Sequence, residues 1–260
     1  GLERFVDLKC AVSGMHPSVA VVVVTIRALK AHSGRHRLVS GKDLPEEMLQ
    51  ENVDDVRDGA ANLLKHLQIV RGFGITPVVA VNVFPTDHDA EIEEVRRIAG
   101  DAGARVAVCH PVTRGGEGCL DLVGAVVEAC HEAGEPACSR PAYEPQDDLR
   151  TKISKLADLY GADGVDYTPA ASRLLEAYEQ AGFSHLPVIV AKTPLSLSAE
   201  PGRKGVPTGW RLPVREVRLA TGAGYVYAIC GSLSTMPGLP SRPAAERIDV
   251  DLDTGQIVGL

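Results

Sequence analysis

Between Val19 and Ile26 the chain reads VAVVVVTI, β-branched at every position except Ala20. Branched side chains crowd a helix but fit a pleated surface. A continuous apolar run of strand length, without alternation, marks a strand covered on both faces. That arrangement belongs to parallel sheets with helices above and below. The expectation is therefore an α/β fold whose first strand is buried on both sides.

The residues that follow repeat the unit. Asn52 stands before Val53, Val56, Ala60, Leu63, Leu64, Leu67 and Val70, a helical spacing with a side-chain cap at its start. Gly72 and Gly74 stop it, and Pro77 to Val81 reads as the next strand. Asp87 or Asp89 can cap a helix with Ile92, Val95, Ile98 and Ala99 on one face, ended by Gly103. Arg105 to Val108 is a short strand, followed by Gly115-Gly116-Glu117-Gly118 and a helix from Leu120 to Gly134. Strand and helix in strict alternation predict a parallel sheet with right-handed crossovers. Three strands are few for such a sheet, and the chain starts at Gly1, so it reads as part of something longer.

Gly134 to Pro145 holds three prolines and reads as a linker. It divides the chain into an α/β core over 1–135 and a smaller α+β domain over 136–260. The second part predicts helices from Gln146 to Tyr160 and from Thr168-Pro169 to Gly182. It predicts strands over Pro187–Ala191, Leu212–Leu219 and Tyr225–Cys230, and two last short strands around Asp253-Thr254-Gly255.

Composition narrows the function. The net charge of −7 and pI near 5.6 argue against a nucleic-acid partner. No apolar run approaches the ~20 residues of a membrane span. Six cysteines form no C-x-x-C pair and eight histidines no H-E-x-x-H, so no metal site is predicted. Reduced thiols fit a cytoplasmic protein. Neither a G-x-x-x-x-G-K-[ST] phosphate loop nor a G-x-G-x-x-G occurs in the 260 residues.

Ligand chemistry is concentrated at strand ends, where open α/β sheets bind. Asn82-Val83-Phe84-Pro85-Thr86-Asp87 ends the second strand. Asn82 and Asp87 can bond a heterocycle's polar edge while Phe84 stacks on its face. The same residues also read as a turn and cap with Phe84 in the core. Gly115, Gly116 and Glu117 can turn backbone N–H groups to an anion, or form a flexible connection. Arg27 and Lys30 are candidates for holding phosphate or carboxylate, or make a solvated basic turn. Lys192, at another strand end, reads first as a surface charge. Trp210, the single tryptophan, reads as a packing residue, and Met236 to Pro240 as a stiff loop.

The ordered motifs carry a resemblance. Val23 to Gly34, VVTIRALKAHSG, is similar to the V-A-T-[IV]-R-A-L-K-x-[HN]-G-G signature of formate–tetrahydrofolate ligases, with Val24 and Ser33 departing. N-V-F-P-T-D at 82–87, G-G-E-G at 115–118, Y-G-A-D-G-V at 160–165, A-K-T at 191–193, P-T-G at 207–209, V-R-E-V-R at 214–218 and T-M-P-G-L-P at 235–240 continue it. The resemblance implies the C-terminal part of a Rossmann-like core of the phosphate-loop NTPase type, plus a smaller α+β domain. It implies ATP and tetrahydrofolate as substrates, Mg2+ with ATP, a monovalent cation, no covalently bound cofactor and a homotetramer. It also implies a missing N-terminal half carrying the phosphate loop, so the chain alone is expected to be inactive. The alternative is a non-catalytic folate-binding or assembly subunit working with a separately encoded half.

By the same resemblance, Phe84 is one wall of a pterin clamp, with Asn82, Pro85 and Asp87 shaping the pocket and Gly115, Gly116 and Glu117 opposite. The family's second ring is a Trp, and Val112 stands at its place. Pro194-Leu195 replaces a usual Gln-Tyr after A-K-T. No residue is assigned as a catalytic acid or base.

Overall fold

A computed structural model describes residues 1–36, 38, 44–134, 139–233 and 241–259. The Met236–Pro240 loop lies outside them. A π-helical segment, Arg4–Cys10, runs into the short helix Ala11–Ser13 ahead of the first strand. Strand β1, Val19–Val24, leads directly into helix α1, Ile26–His32. The stretch read as a basic turn is thus helical, because the Thr25 hydroxyl accepts the Ala28 N–H and caps it. Helix α2, Val53–Gly72, begins at the expected Asn52 cap. Then come β2, Thr76–Asn82, helix α3, Asp89–Asp101, β3, Arg105–Cys109, and helix α4, Leu120–Ala133.

The three strands form a parallel sheet in the order β1-β2-β3. Helices α1, α2 and α3 bury Leu29, Val56, Leu63, Leu67, Ile92 and Val95 against Val24, Val79 and Val81 on one face. Val56, Leu67 and Val95 are fully enclosed, each contributing about 1.5–3 kcal/mol. On the other face α4 meets Ala80, Ala107 and Cys109 through Leu122 and Ala125.

The doubly buried strand is β2 rather than β1. Residues Pro77 to Val81 are all buried, whereas Val21 and Val23 in β1 are 43% and 64% exposed. The reason is position: β1 is an edge strand, and α4 covers β2 and β3 more than β1. Leu120, Val123 and Val127 of α4 are exposed as well.

The second half contains helix α5, Leu149–Leu159, β4, Val165–Tyr167, helix α6, Pro169–Gln180, β5, Val188–Ala191, β6, Leu212–Ala220, and β7, Tyr225–Cys230. Its sheet is mixed, in the order β4-β6-β7-β5, with β6 and β7 antiparallel. Thr168 caps α6 before Pro169, as the sequence predicts. Short strands β8, Asp249–Val250, and β9, Ile257–Val258, pair around the expected turn. The two larger sheets, one parallel and one mixed, make this an α/β protein.

The described part of the proline-rich stretch is more than a tether. Its Arg140 N–H donates to the Phe73 carbonyl and its Ala142 N–H to Asp7. Tyr143 is buried, its hydroxyl bonded to both the N–H and the carbonyl of Val188. Trp210 is 4% exposed in the core cluster that also holds Ile69, Val70 and Phe73 from around the end of α2. No described helix is long and apolar enough to cross a membrane.

Candidate functional site

The parallel register sets the site. Val24 lies opposite Val81 and Asn82 opposite Cys109, so the loops after β1, β2 and β3 all leave one edge of the sheet. At the end of β2, the Val83 N–H donates to the Cys109 carbonyl, tying that loop to β3. The chain then turns at Phe84-Pro85-Thr86-Asp87. The Asp87 carboxylate accepts the Phe84 N–H at 2.8 Å, and the Asp87 N–H donates to the Phe84 carbonyl at 2.9 Å. Asp87 therefore braces its own turn and does not cap α3. That helix begins instead at His88, whose N–H is met by Glu91. Burial pushes the Asp87 carboxyl upward, while the Phe84 N–H and Arg27 pull it back.

Phe84 is half-buried and Pro85 exposed. The Arg27 guanidinium lies over the Phe84 ring, its central carbon 3.6 Å from the ring centroid. Asn82 Oδ1 and Arg27 Nε are both buried without a hydrogen-bond partner. Arg27, Asn82, Phe84 and Asp87 are thus gathered at one place.

Lys30 is placed elsewhere. It is 1% exposed, and its ammonium sits 2.5 Å from the fully buried Glu91 carboxylate. It also donates to the Met48 and Gln50 carbonyls. All three N–H donors of Lys30 are used inside the protein, so its ammonium does not face the strand ends. Lys30 is therefore neither an anion holder nor part of a solvated turn, and the sequence pattern hides this because its partner Glu91 lies far along the chain.

On the β3 side, Val112 is 53% exposed on the short helical turn Pro111–Arg114. Gly115 has φ +56° and ψ −141°, a backbone that disfavours any side chain. Gly116 and Glu117 are exposed. Gly118 is packed so closely that a Cβ would come 2.5 Å from the His110 carbonyl oxygen. These loop residues share the strand-end edge with Phe84.

A cleft of about 440 Å³ lies away from these loops, lined by His32, His66, Tyr160 and Lys192 among others. Lys192 is not a surface charge. Its ammonium donates to the Ser196 carbonyl at 2.6 Å and stands 4.6 Å from the centre of the Tyr160 ring. Burial lowers its pKa to about 8. The local signal was available in Ser196-Leu197-Ser198, a serine pair able to fold a loop back around a cation. Among the described residues no three His, Cys, Asp or Glu side chains converge to hold a metal ion.

The family model for formate–tetrahydrofolate ligase matches residues 1–260. The chain belongs to that family. It is 58% identical to the formate–tetrahydrofolate ligase of Saccharopolyspora erythraea over 261 residues, covering all of this chain and 46% of the relative. It is 54% identical to that of Cutibacterium acnes, with the same coverage. Formate–tetrahydrofolate ligase 3 of Rubrobacter xylanophilus is 49% identical over 267 residues. The chain thus spans a little under half the length of these relatives. Formate–tetrahydrofolate ligases are ATP-dependent ligases of one-carbon metabolism.

Proposed function

We propose that this chain supplies the tetrahydrofolate-side wall of a formate–tetrahydrofolate ligase and is inactive alone. In that reading ATP phosphorylates formate, and the formyl group of formyl phosphate passes to N10 of tetrahydrofolate, releasing ADP and phosphate. The observation that carries it is Phe84, presented at the end of the central strand among groups that leave the same sheet edge. An aromatic ring fixed at that position is a stacking platform for a flat heterocycle. Phosphoryl transfer depends on positioned cationic and backbone donors around the phosphates. With no phosphate-loop motif in the 260 residues and Lys30 turned inward, those donors come from the rest of the family's length.

A partner surface fits the same reading. The outer edge of β1, with Val21 and Val23 exposed and Leu120, Val123 and Val127 of α4 exposed as well, is an open strand edge accompanied by apolar side chains. We assign it to the remaining part of the Rossmann-like core, whether joined in one chain or separately encoded. The family's homotetramer and its monovalent cation belong to the assembled protein.

The test is a coupled assay of the isolated chain with ATP, formate and tetrahydrofolate, beside a direct binding measurement. The proposal expects tetrahydrofolate binding without formate-dependent ATP cleavage. Turnover of ATP by the isolated chain would overturn it.

A further inference from the structure

The β3 side of the strand-end edge holds two cysteines that the folate reading leaves unused. Cys109 closes β3 and is 3% exposed, while Cys119 ends the Gly115–Cys119 turn and is half-buried. The His110 N–H donates to the Gly118 carbonyl at 2.9 Å. One hydrogen bond thus joins the peptide group after Cys109 to the peptide group before Cys119. The approach is this close because residue 118 has no side chain; a Cβ there would meet the His110 carbonyl oxygen at 2.5 Å.

Both side chains turn to the same place. Cys109 is buried with Ala80 and Ala107, and Cys119 packs on that cluster beside Leu122 and Ala125. The Cys119 thiol acts directly on its neighbour. Burial first, then the charge and side-chain hydrogen bonding of Cys119, push the Cys109 thiol up to about 11. Residues that flank one peptide hydrogen bond have α-carbons within reach of a disulfide, which spans about 4.4–6.8 Å. Gly116 has open space around it, so the loop has room to draw the two sulfurs together.

We propose that Cys109 and Cys119 form a modification site, a dithiol that hydrogen peroxide converts to a disulfide, closing the 109–119 loop into a covalent ring. Cys119 is the thiol that solvent reaches. Its sulfur attacks one peroxide oxygen, the O–O bond breaks, and Cys119 becomes a sulfenic acid while the other oxygen leaves as water. Loss of the Cys119 charge removes the repulsion that opposes ionisation of Cys109. The Cys109 sulfur then attacks the Cys119 sulfur, the S–O bond breaks and a second water leaves. Two thiols are oxidised by the loss of two hydrogens, and one peroxide is reduced to two waters. The ring carries Val112, Gly115, Gly116 and Glu117, and the Val83 N–H bond to the Cys109 carbonyl links it to the Phe84 turn. Its formation does not depend on which ligand the sheet edge binds.

The test is oxidation of this chain with hydrogen peroxide, alkylation of the remaining thiols, trypsin digestion and mass spectrometry. Trypsin cuts after Arg105 and Arg114, so Cys109 and Cys119 fall in separate peptides. The expected product is a crosslink between the peptide that begins at Val106 and the one that begins at Gly115, released by dithiothreitol. It should run as a monomer on a non-reducing gel. The second peptide also holds Cys130 and Cys138, so Cys119→Ser is measured alongside and is expected to lose the crosslink by about tenfold or more. In Cys109→Ser, Cys119 is expected to stop at the sulfenic acid and to be trapped by dimedone. Cys10 and Cys230, 4% and 1% exposed, are expected to react about tenfold more slowly than Cys119. Full alkylation of Cys109 after oxidation, Cys119 carried on to sulfinic acid in wild type, a crosslinked dimer in place of the monomer, or a crosslink that survives in Cys119→Ser overturns the pair. If Cys109→Ser fails to fold by circular dichroism, the comparison of wild type with Cys119→Ser decides alone.

Discussion

Lys30 and Glu91 form the buried pair beneath the site, and separating their charges tests that role. Their side chains are 2% and 0% exposed and 2.5 Å apart. Glu91 also accepts the Asn52 N–H at 2.7 Å, holding the start of α2, and reaches the His88 N–H behind the Phe84 turn. Lys30→Met leaves a buried carboxylate without its cation and two carbonyls without their donor. Glu91→Gln leaves a buried ammonium without its anion. Removing one member of a buried pair costs about 3–5 kcal/mol, roughly 10 °C or more in a chain of this size. Lys30→Met/Glu91→Gln carries no unpaired charge, so it is expected to be more stable than the sum of the singles by about 1–3 kcal/mol. Urea unfolding followed by the fluorescence of buried Trp210, with circular dichroism as a second probe, measures all four proteins. Single variants costing under about 1 kcal/mol, or additive within about 0.5 kcal/mol, would refute the internal role of Lys30.

Three further outcomes follow from local geometry. Gly118→Ala drives a Cβ to 2.5 Å from the His110 carbonyl and should lower the melting temperature clearly, whereas Gly116→Ala, with nothing within 4 Å, should not; equal effects would refute the packing argument. Burial raises the Asp7 carboxyl to about 7, against the pull of the Ala142 N–H and with repulsion from Glu3 adding to it. The native state then holds a proton that the unfolded chain has lost, so stability falls as pH rises from about 4 to 7. Asp7→Asn should flatten that slope and be more stable than wild type at pH 8, as thermal melts across this range would show. Val112→Trp, at a 53% exposed position, should tighten tetrahydrofolate binding up to about tenfold by restoring a second ring; unchanged affinity would remove Val112 from the pterin wall.

The alternation of strands and helices was legible because apolar spacing and end signals agreed at Asn52, Thr168 and Gly103. The strand-end location of Asn82, Phe84 and Asp87 was legible for the same reason: parallel strands bring successive loops to one edge. Burial of particular side chains was not. The run at β1 has the composition of a central strand, and only the pairing order shows it at the edge with Val21 and Val23 uncovered. Lys30 reads as an anion holder or a solvated turn residue and Lys192 as a surface charge, since a lysine's environment depends on segments far away in the chain or on a loop folding back, Glu91 in one case and Ser196 in the other. Arg27 over Phe84 joins residues 57 positions apart, and no spacing rule pairs them.

The central claim is that Phe84 is the platform on which this chain holds the folate ring. Calorimetric titration of tetrahydrofolate into wild type and Phe84→Ala, with folding verified by circular dichroism, tests it most directly. The account predicts binding by wild type and a loss of about 3- to 10-fold or more in the variant, the share of one stacking contact. Equal affinities in the two proteins would contradict it.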